Sequence, residues 1–206
     1  MIATKIPIRL KTHFSQRIAV SHGYEKFGGN VIRVIRYDHK ELAGKMISLY
    51  EKIIEINHFS RDLGATRIVN LPEHLTEGIY CYVSGSVRCV KGKDVSYDCY
   101  NFKKHQRIQV KSSQLMTGDL TSFGPKSEYD DIVFVMVSDH IVYIYDNIGS
   151  FVTHEFKVNK TESFGDQCKV GRRPRFSILN KIIKENCLKA LLQFDIRNLQ
   201  DYYQSI

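Results

Sequence analysis

Asp98, Gln109 and Lys111 are the residues whose types and spacing carry the most chemistry in this sequence. In RIQVKSS (107–113), side chains on a strand alternate between faces, so Gln109 and Lys111 project to one side while Val110 points into the core. Asp98 stands on the preceding predicted strand, and the short NFKKH connection turns the chain back to bring it beside that pair. A carboxylate, an amide oxygen and the Val110 carbonyl make the all-oxygen surroundings that magnesium prefers. A neighbouring lysine could hold or polarise an attacking water and offset charge on a phosphoryl transition state. Glu77 could reach the same place as a direct or water-mediated ligand, with Glu73 or Asp119 replacing or assisting it. On spacing alone, the pattern equally suits a sheet with a solvated face and a surface lysine.

Hydrophobic periodicity indicates the elements that would position these groups. Leu42, Met46, Leu49, Ile53 and Ile56 recur at steps of four and three, which predicts an amphipathic helix over 40–58. A second helix is expected from Asn70 as cap and Pro72 in the first turn, running to about Val83 and carrying Glu73 and Glu77 one turn apart. VRCV (87–90), a KGKD turn, VSYDCY (95–100) and RIQVKSS read as a strand meander. DIVFVMV (131–137) and HIVYIYD (140–146) read as a β pair joined through a short Ser-Asp connection. The tail from Val170 starts as a basic loop and becomes helical near Ser177. Strands framed by helices give an α/β or α+β fold.

With 206 residues, 43% of them hydrophobic, the chain can bury one sizeable core, and its composition excludes disordered, collagenous and repeat classes. No apolar run approaches a membrane span and no secretory signal is visible at the start, so a cytoplasmic address is expected. Five cysteines without a CxxC pair suit free thiols and argue against structural zinc. The formal charge of +8 favours a polyanionic partner. Residues 1–70 carry 12 basic and 6 acidic groups, 71–155 carry 8 and 11, and 156–206 carry 10 and 5. Basic flanks could hold phosphates while an acidic centre holds cations, although scattered surface charge has the same appearance.

Asp98, ten intervening residues and then Gln-Val-Lys resembles the PD-(D/E)XK nuclease motif in the variant where Gln replaces the second acid. NLPEHLTEGIYCYV, SYDCYNFKKHQRIQVKSSQ, DLTSFGPKSEYDDIVFV and GRRPRFSI together are similar to a subgroup of short type II restriction endonucleases, over roughly residues 58–196. The resemblance implies a restriction-endonuclease-like central mixed β-sheet flanked by helices. It also implies one nuclease domain over 1–206, with 1–57 as an N-terminal extension or helical part and 58–196 as the core. The implied activity is magnesium-dependent hydrolysis of both strands of double-stranded DNA at a short specific site, leaving 5′-phosphates. Asp98, Gln109, Lys111 and Glu77 would be the catalytic set, and Asp98, Val110, Gln109 and Glu77 the Mg2+ ligands. Two departures stand out: Tyr97 occupies the position of the motif's proline, and neutral Gln109 removes one negative charge from the metal site.

DNA contacts are expected from Ser112, Ser113, Thr121, Ser122, Lys126 and Ser127, small polar groups and a cation suited to gripping phosphate. Arg172, Arg173 and Arg175 are expected to add guanidinium contacts from an exposed loop. His105, at a turn, is read as a solvent-facing spacer. A homodimer on DNA follows from cutting a symmetric site, and the resemblance adds a companion methyltransferase acting on the same site without a stable complex. Residues 1–57, with Gly23, Gly28 and Gly29, could form an arm, a DNA clamp or a structural extension. Two other functions remain open from sequence: a structure-selective repair or junction-resolving nuclease, and a non-catalytic DNA-binding protein on the same fold.

Overall fold

The computed structural model describes residues 21–206 apart from 28–29, 38–39, 91–94 and 115. The KGKD turn, Gly28, Gly29 and the first 20 residues of the expected N-terminal extension lie outside these described residues.

The helix expected over 40–58 is α1, Lys40–Asp62. Its buried face runs through Leu42, Met46, Tyr50, Ile53 and Asn57, whereas Leu49 is only partly buried and Ile56 is half exposed. A helix with 3.6 residues per turn drifts away from a strict four-three stripe, and Tyr50 takes the place expected for Leu49. Asn57 is tolerated in this face because its amide bonds both Val69 N–H (2.6 Å) and Val69 C=O (3.0 Å), fixing the chain that leads to the second helix.

That second helix, α2, spans Glu73–Ser84, and its N-cap is Pro72 rather than the expected Asn70. Proline fixes φ near the first-turn value, so the helix starts as soon as Pro72 permits. Gly85, at φ 68, supplies the left-handed C-cap. From Leu75 to Ser84 every residue of α2 is buried, which explains its small apolar and aromatic side chains on all sides.

An eight-stranded sheet has the order β1-β2-β3-β4-β5-β7-β8-β10. The strands are Ser21–Phe27 (β1), Asn30–Arg36 (β2), Val87–Cys89 (β3), Cys99–Asn101 (β4), Gln106–Ser113 (β5), Asp131–Ser138 (β7), Ile141–Tyr145 (β8) and Leu192–Asp195 (β10). Neighbours are antiparallel except β5 and β7, which run parallel, so the sheet is mixed. Two short strands, β6 (Thr121–Ser122) and β9 (Arg175–Phe176), form a separate antiparallel pair.

β7 divides the core. Val133, Val135 and Val137 face the layer containing α1 and α2, while Ile132, Phe134 and Met136 face a second cluster with Phe123, Phe164, Phe176 and Ile182. A strand buried on both sides needs an unbroken apolar run, which DIVFVMV supplies. The turn after it uses Asp139 and His140, at φ 48 and 67, one residue beyond the Ser-Asp connection expected from sequence. Both residues take the left-handed conformation that matches strand twist in a two-residue hairpin. The helix expected near Ser177 is present as a short π-helical segment, Leu179–Lys184.

β1, β2 and β10 are strands the sequence reading did not identify. The β1–β2 hairpin extends the sheet at β3 through Val34 and Cys89, and Ile32 and Val34 pack with Val87, Cys89 and Tyr97. Ser21–Phe27 and Asn30–Arg36 are thus built into the sheet. Among the described residues no helix is long and apolar enough to cross a membrane. All five cysteines are free thiols.

Candidate active site

Asp98 immediately precedes β4, and its backbone N–H already bonds Ile108 C=O on β5 at 3.0 Å. Its side chain reaches further along β5: Oδ2 accepts the Val110 N–H at 2.9 Å and the side-chain amide of Gln109. Asp98 and Gln109 are 2% and 7% exposed. A buried carboxylate needs such donors to remain in place, and two bonds from adjacent residues of one strand fix its direction. Two residues beyond Gln109, the Lys111 ammonium lies 5.2 Å from the centre of the Phe123 ring, on the same face of β5. A cation over an aromatic face is attracted by the ring's quadrupole. Strand alternation thus puts acid, amide and amine together, as the spacing predicted.

These groups open on a cleft of about 420 Å³ lined by Glu77, Asp98, Gln109, Val110 and Lys111. Glu77 enters from α2 and is 3% exposed. Its Oε2 forms an ion pair with Nε of Arg88 on β3, a partner that the sequence reading missed. Burial works against the Arg88 charge, but the hydrogen bond and the negative charge of Glu77 together outweigh it and leave the guanidinium above its ordinary pKa. The only hint in the sequence is a charge inside the short apolar strand VRCV, facing a helix whose position cannot be read from spacing.

Asp119 lines the cleft too, but its oxygens have a structural task. Oδ1 accepts Ser177 Oγ–H (2.8 Å) and Leu179 N–H (2.9 Å), while Oδ2 accepts Ile178 N–H (3.1 Å) and the Thr121 hydroxyl. It caps the segment that begins at Ile178, and these four bonds fill the usual capacity of a carboxylate. Glu73 lines the same cleft from the exposed first turn of α2.

Among the described residues, no three His, Cys, Asp or Glu side chains cluster as a metal site. A cation here would depend on Asp98 together with amide and carbonyl oxygens from Gln109 and Val110, with Glu77 nearby. That donor set consists only of hard oxygens and suits a small divalent ion better than zinc or copper.

Comparison with known proteins agrees with this geometry. Residues 37–185, more than half the chain, match the model of the Bsp6I restriction endonuclease family. The chain belongs to the Bsp6I restriction endonuclease family. It is 31% identical over 134 residues to the type II restriction enzyme Bsp6I of Bacillus sp. (strain RFL6), covering 64% of this chain and 75% of that enzyme. The family match contains Glu77, Arg88, Asp98, Gln109, Lys111 and the loops around the cleft. Membership makes the protein a type II restriction endonuclease, a site-specific hydrolase.

In this member of the family, the residues expected to contact DNA fall into two groups. Ser112, Thr121, Ser122, Ser127 and Arg173 line the cleft beside Lys111. Ser122 Oγ is buried and has no hydrogen-bond partner among the described residues. Ser113 lines an adjoining groove with Gln114 and Pro72. Lys126, Arg172 and Arg175 are exposed and outside the lining of the main cleft. Arg172 pairs with Glu162, and Arg175 lies on β9 opposite Ser122. The loop bearing Lys126 and Ser127 is fastened near the site: Ser96 Oγ accepts Glu128 N–H at 2.8 Å, and Arg107 pairs with Asp130 at 2.8 Å. His105 sits in the β4–β5 turn at φ 53 and is exposed, away from the cleft lining.

Proposed function

We propose that this protein is a magnesium-dependent endonuclease that hydrolyses one phosphodiester in each strand of double-stranded DNA at a short specific site, leaving 5′-phosphate and 3′-hydroxyl ends. The observation that carries this reading is the hydrogen bond of Gln109 to Asp98, with Lys111 on the same strand face, in a chain of this family.

The work of the side chains follows from their chemistry. Asp98, the Gln109 amide oxygen and the Val110 carbonyl would hold Mg2+, with Glu77 reaching it through water. Bound there, the ion would supply Lewis acidity to the scissile phosphate and its leaving 3′ oxygen. Lys111 orients a water for attack on phosphorus and offsets the added negative charge as the new P–O bond forms. The P–O3′ bond then breaks, the 3′ oxygen takes up a proton, and the attacking oxygen stays on the 5′-phosphate. Val110 N–H and Gln109 hold Asp98 in one orientation throughout. Ser122, whose buried hydroxyl has no hydrogen-bond partner among the described residues, is suited to accept or donate to a phosphate with Thr121, Ser127 and Arg173 around it. Ser112, Ser113, Lys126, Arg172 and Arg175 would contact flanking backbone.

Cutting both strands of a symmetric site most simply uses two copies of this cleft related by a twofold axis, hence a homodimer on DNA. A companion methyltransferase would protect the same site without a stable complex. The test is digestion of a large unmodified DNA of known sequence, with and without Mg2+, followed by end sequencing. Discrete fragments sharing one motif, only with the metal, are expected. Cleavage without a shared motif would indicate a structure-selective nuclease, and retarded but intact DNA would indicate a binding protein; either result overturns the reading.

A further inference from the structure

The carboxylates of the cleft differ in what holds them. Asp119 spends its oxygens on the cap at Ile178 and Leu179. Glu77 has its own counter-ion in Arg88, whose side chain is only 23% exposed. Where a second acid would strengthen cation binding, Gln109 contributes a neutral amide. Lys111 and Arg173 add positive charge to the same lining.

Two divalent ions in one site sit roughly 3.5–4 Å apart, and their mutual repulsion is offset by carboxylates that face both. In this cleft, one carboxylate is matched by a guanidinium, one by a helix cap, the position next to Asp98 is an amide, and the remaining acid, Glu73, stands on the exposed first turn of α2.

We propose that Arg88 limits each cleft to one divalent cation by holding Glu77 as its own counter-ion, so that Glu77 meets the cation only through water. This rests on the metal-dependent reading above. Arg88 is a positioning residue: it acts on the cation through Glu77 and touches neither the cation nor the scissile phosphate. Glu77 and Arg88 behave as one neutral unit toward the metal, and removing both together preserves the local charge.

The test counts Mn2+ bound to the full chain by electron paramagnetic resonance, with a duplex that carries its site and a non-hydrolysable scissile linkage. The wild type binds one Mn2+ per subunit. The double variant Glu77→Gln/Arg88→Met also binds one, with a dissociation constant within about threefold of the wild type. Arg88→Met alone tightens Mn2+ by about tenfold or admits a second ion, and Glu77→Gln alone weakens it by about tenfold, because each leaves one uncompensated charge. Arg88→Lys keeps the wild-type stoichiometry and serves as the folded control. Two Mn2+ per wild-type subunit would overturn the proposal, as would a double variant weakened more than about tenfold, the mark of a direct ligand. A wild type that binds no Mn2+ would overturn it along with the metal-dependent reading, a result separate from either of the others.

Discussion

Asp98 Oδ2 accepts the Val110 backbone N–H at 2.9 Å, and this bond ties the acid to the strand that presents Lys111. The donor belongs to the main chain, so no side-chain substitution at Val110 removes it, and Asp98 keeps its orientation as long as β5 is intact. The Gln109 amide adds a second donor to the same oxygen. The site is organised by strand geometry before any substrate arrives.

Gln109→Glu should place a second carboxylate beside Asp98. Two like charges in contact destabilise the metal-free protein and strengthen attraction for a cation. The Mg2+ concentration for half-maximal cleavage should fall by about threefold to tenfold, while the melting temperature without metal should drop. Magnesium titration of plasmid cleavage, with melting curves in chelator, checks this. A raised Mg2+ requirement would contradict it.

Asp119→Ala should act through stability and not through chemistry. It strips the acceptors from Ser177, Ile178 and Leu179, and loss of such a cap costs about 2 kcal/mol. For a chain of this size that corresponds to a melting temperature lowered by about 4–8 °C. DNA retardation measured well below the transition should be retained.

Much of this arrangement was legible because it is local. Alternation along RIQVKSS put Gln109 and Lys111 on one face, and the short turn at NFKKH brought Asp98 back to them. The apolar run of β7 announced a central strand. What stayed hidden depends on contacts distant in the chain. Nothing in VRCV says that Arg88 meets Glu77, since β3 and α2 are brought together only by the packed core. Asp119 looked like a spare metal ligand because its true partners lie almost 60 residues later, at Ser177 to Leu179. β1, SHGYEKF, has few large apolar residues and is a strand because β2 offers it an edge, whereas β2, with Val31, Ile32, Val34 and Ile35, carries a strand signal of its own.

Acid should loosen the basic C-terminal segment through Glu162. The Arg172 guanidinium, with the Gln167 and Asn159 amides, holds this exposed carboxyl down to about 2. A folded-state pKa below the unfolded value stabilises the fold above the ordinary value of 4.5, and the contribution is lost as pH falls from there toward about 2. Glu162→Gln should therefore lose less stability than the wild type across that window, with no difference in slope above it. Denaturant melts at a series of acidic pH values check the sign.

The most direct test of the account compares wild-type protein with Asp98→Ala and Lys111→Ala, measuring cleavage of a DNA containing its site and retardation of the same DNA on a gel. Both variants should lose at least about a hundredfold in cleavage rate while binding DNA within a few-fold of the wild type. Either variant cutting at the wild-type rate with Mg2+ would contradict the assignment of this cleft as the catalytic centre.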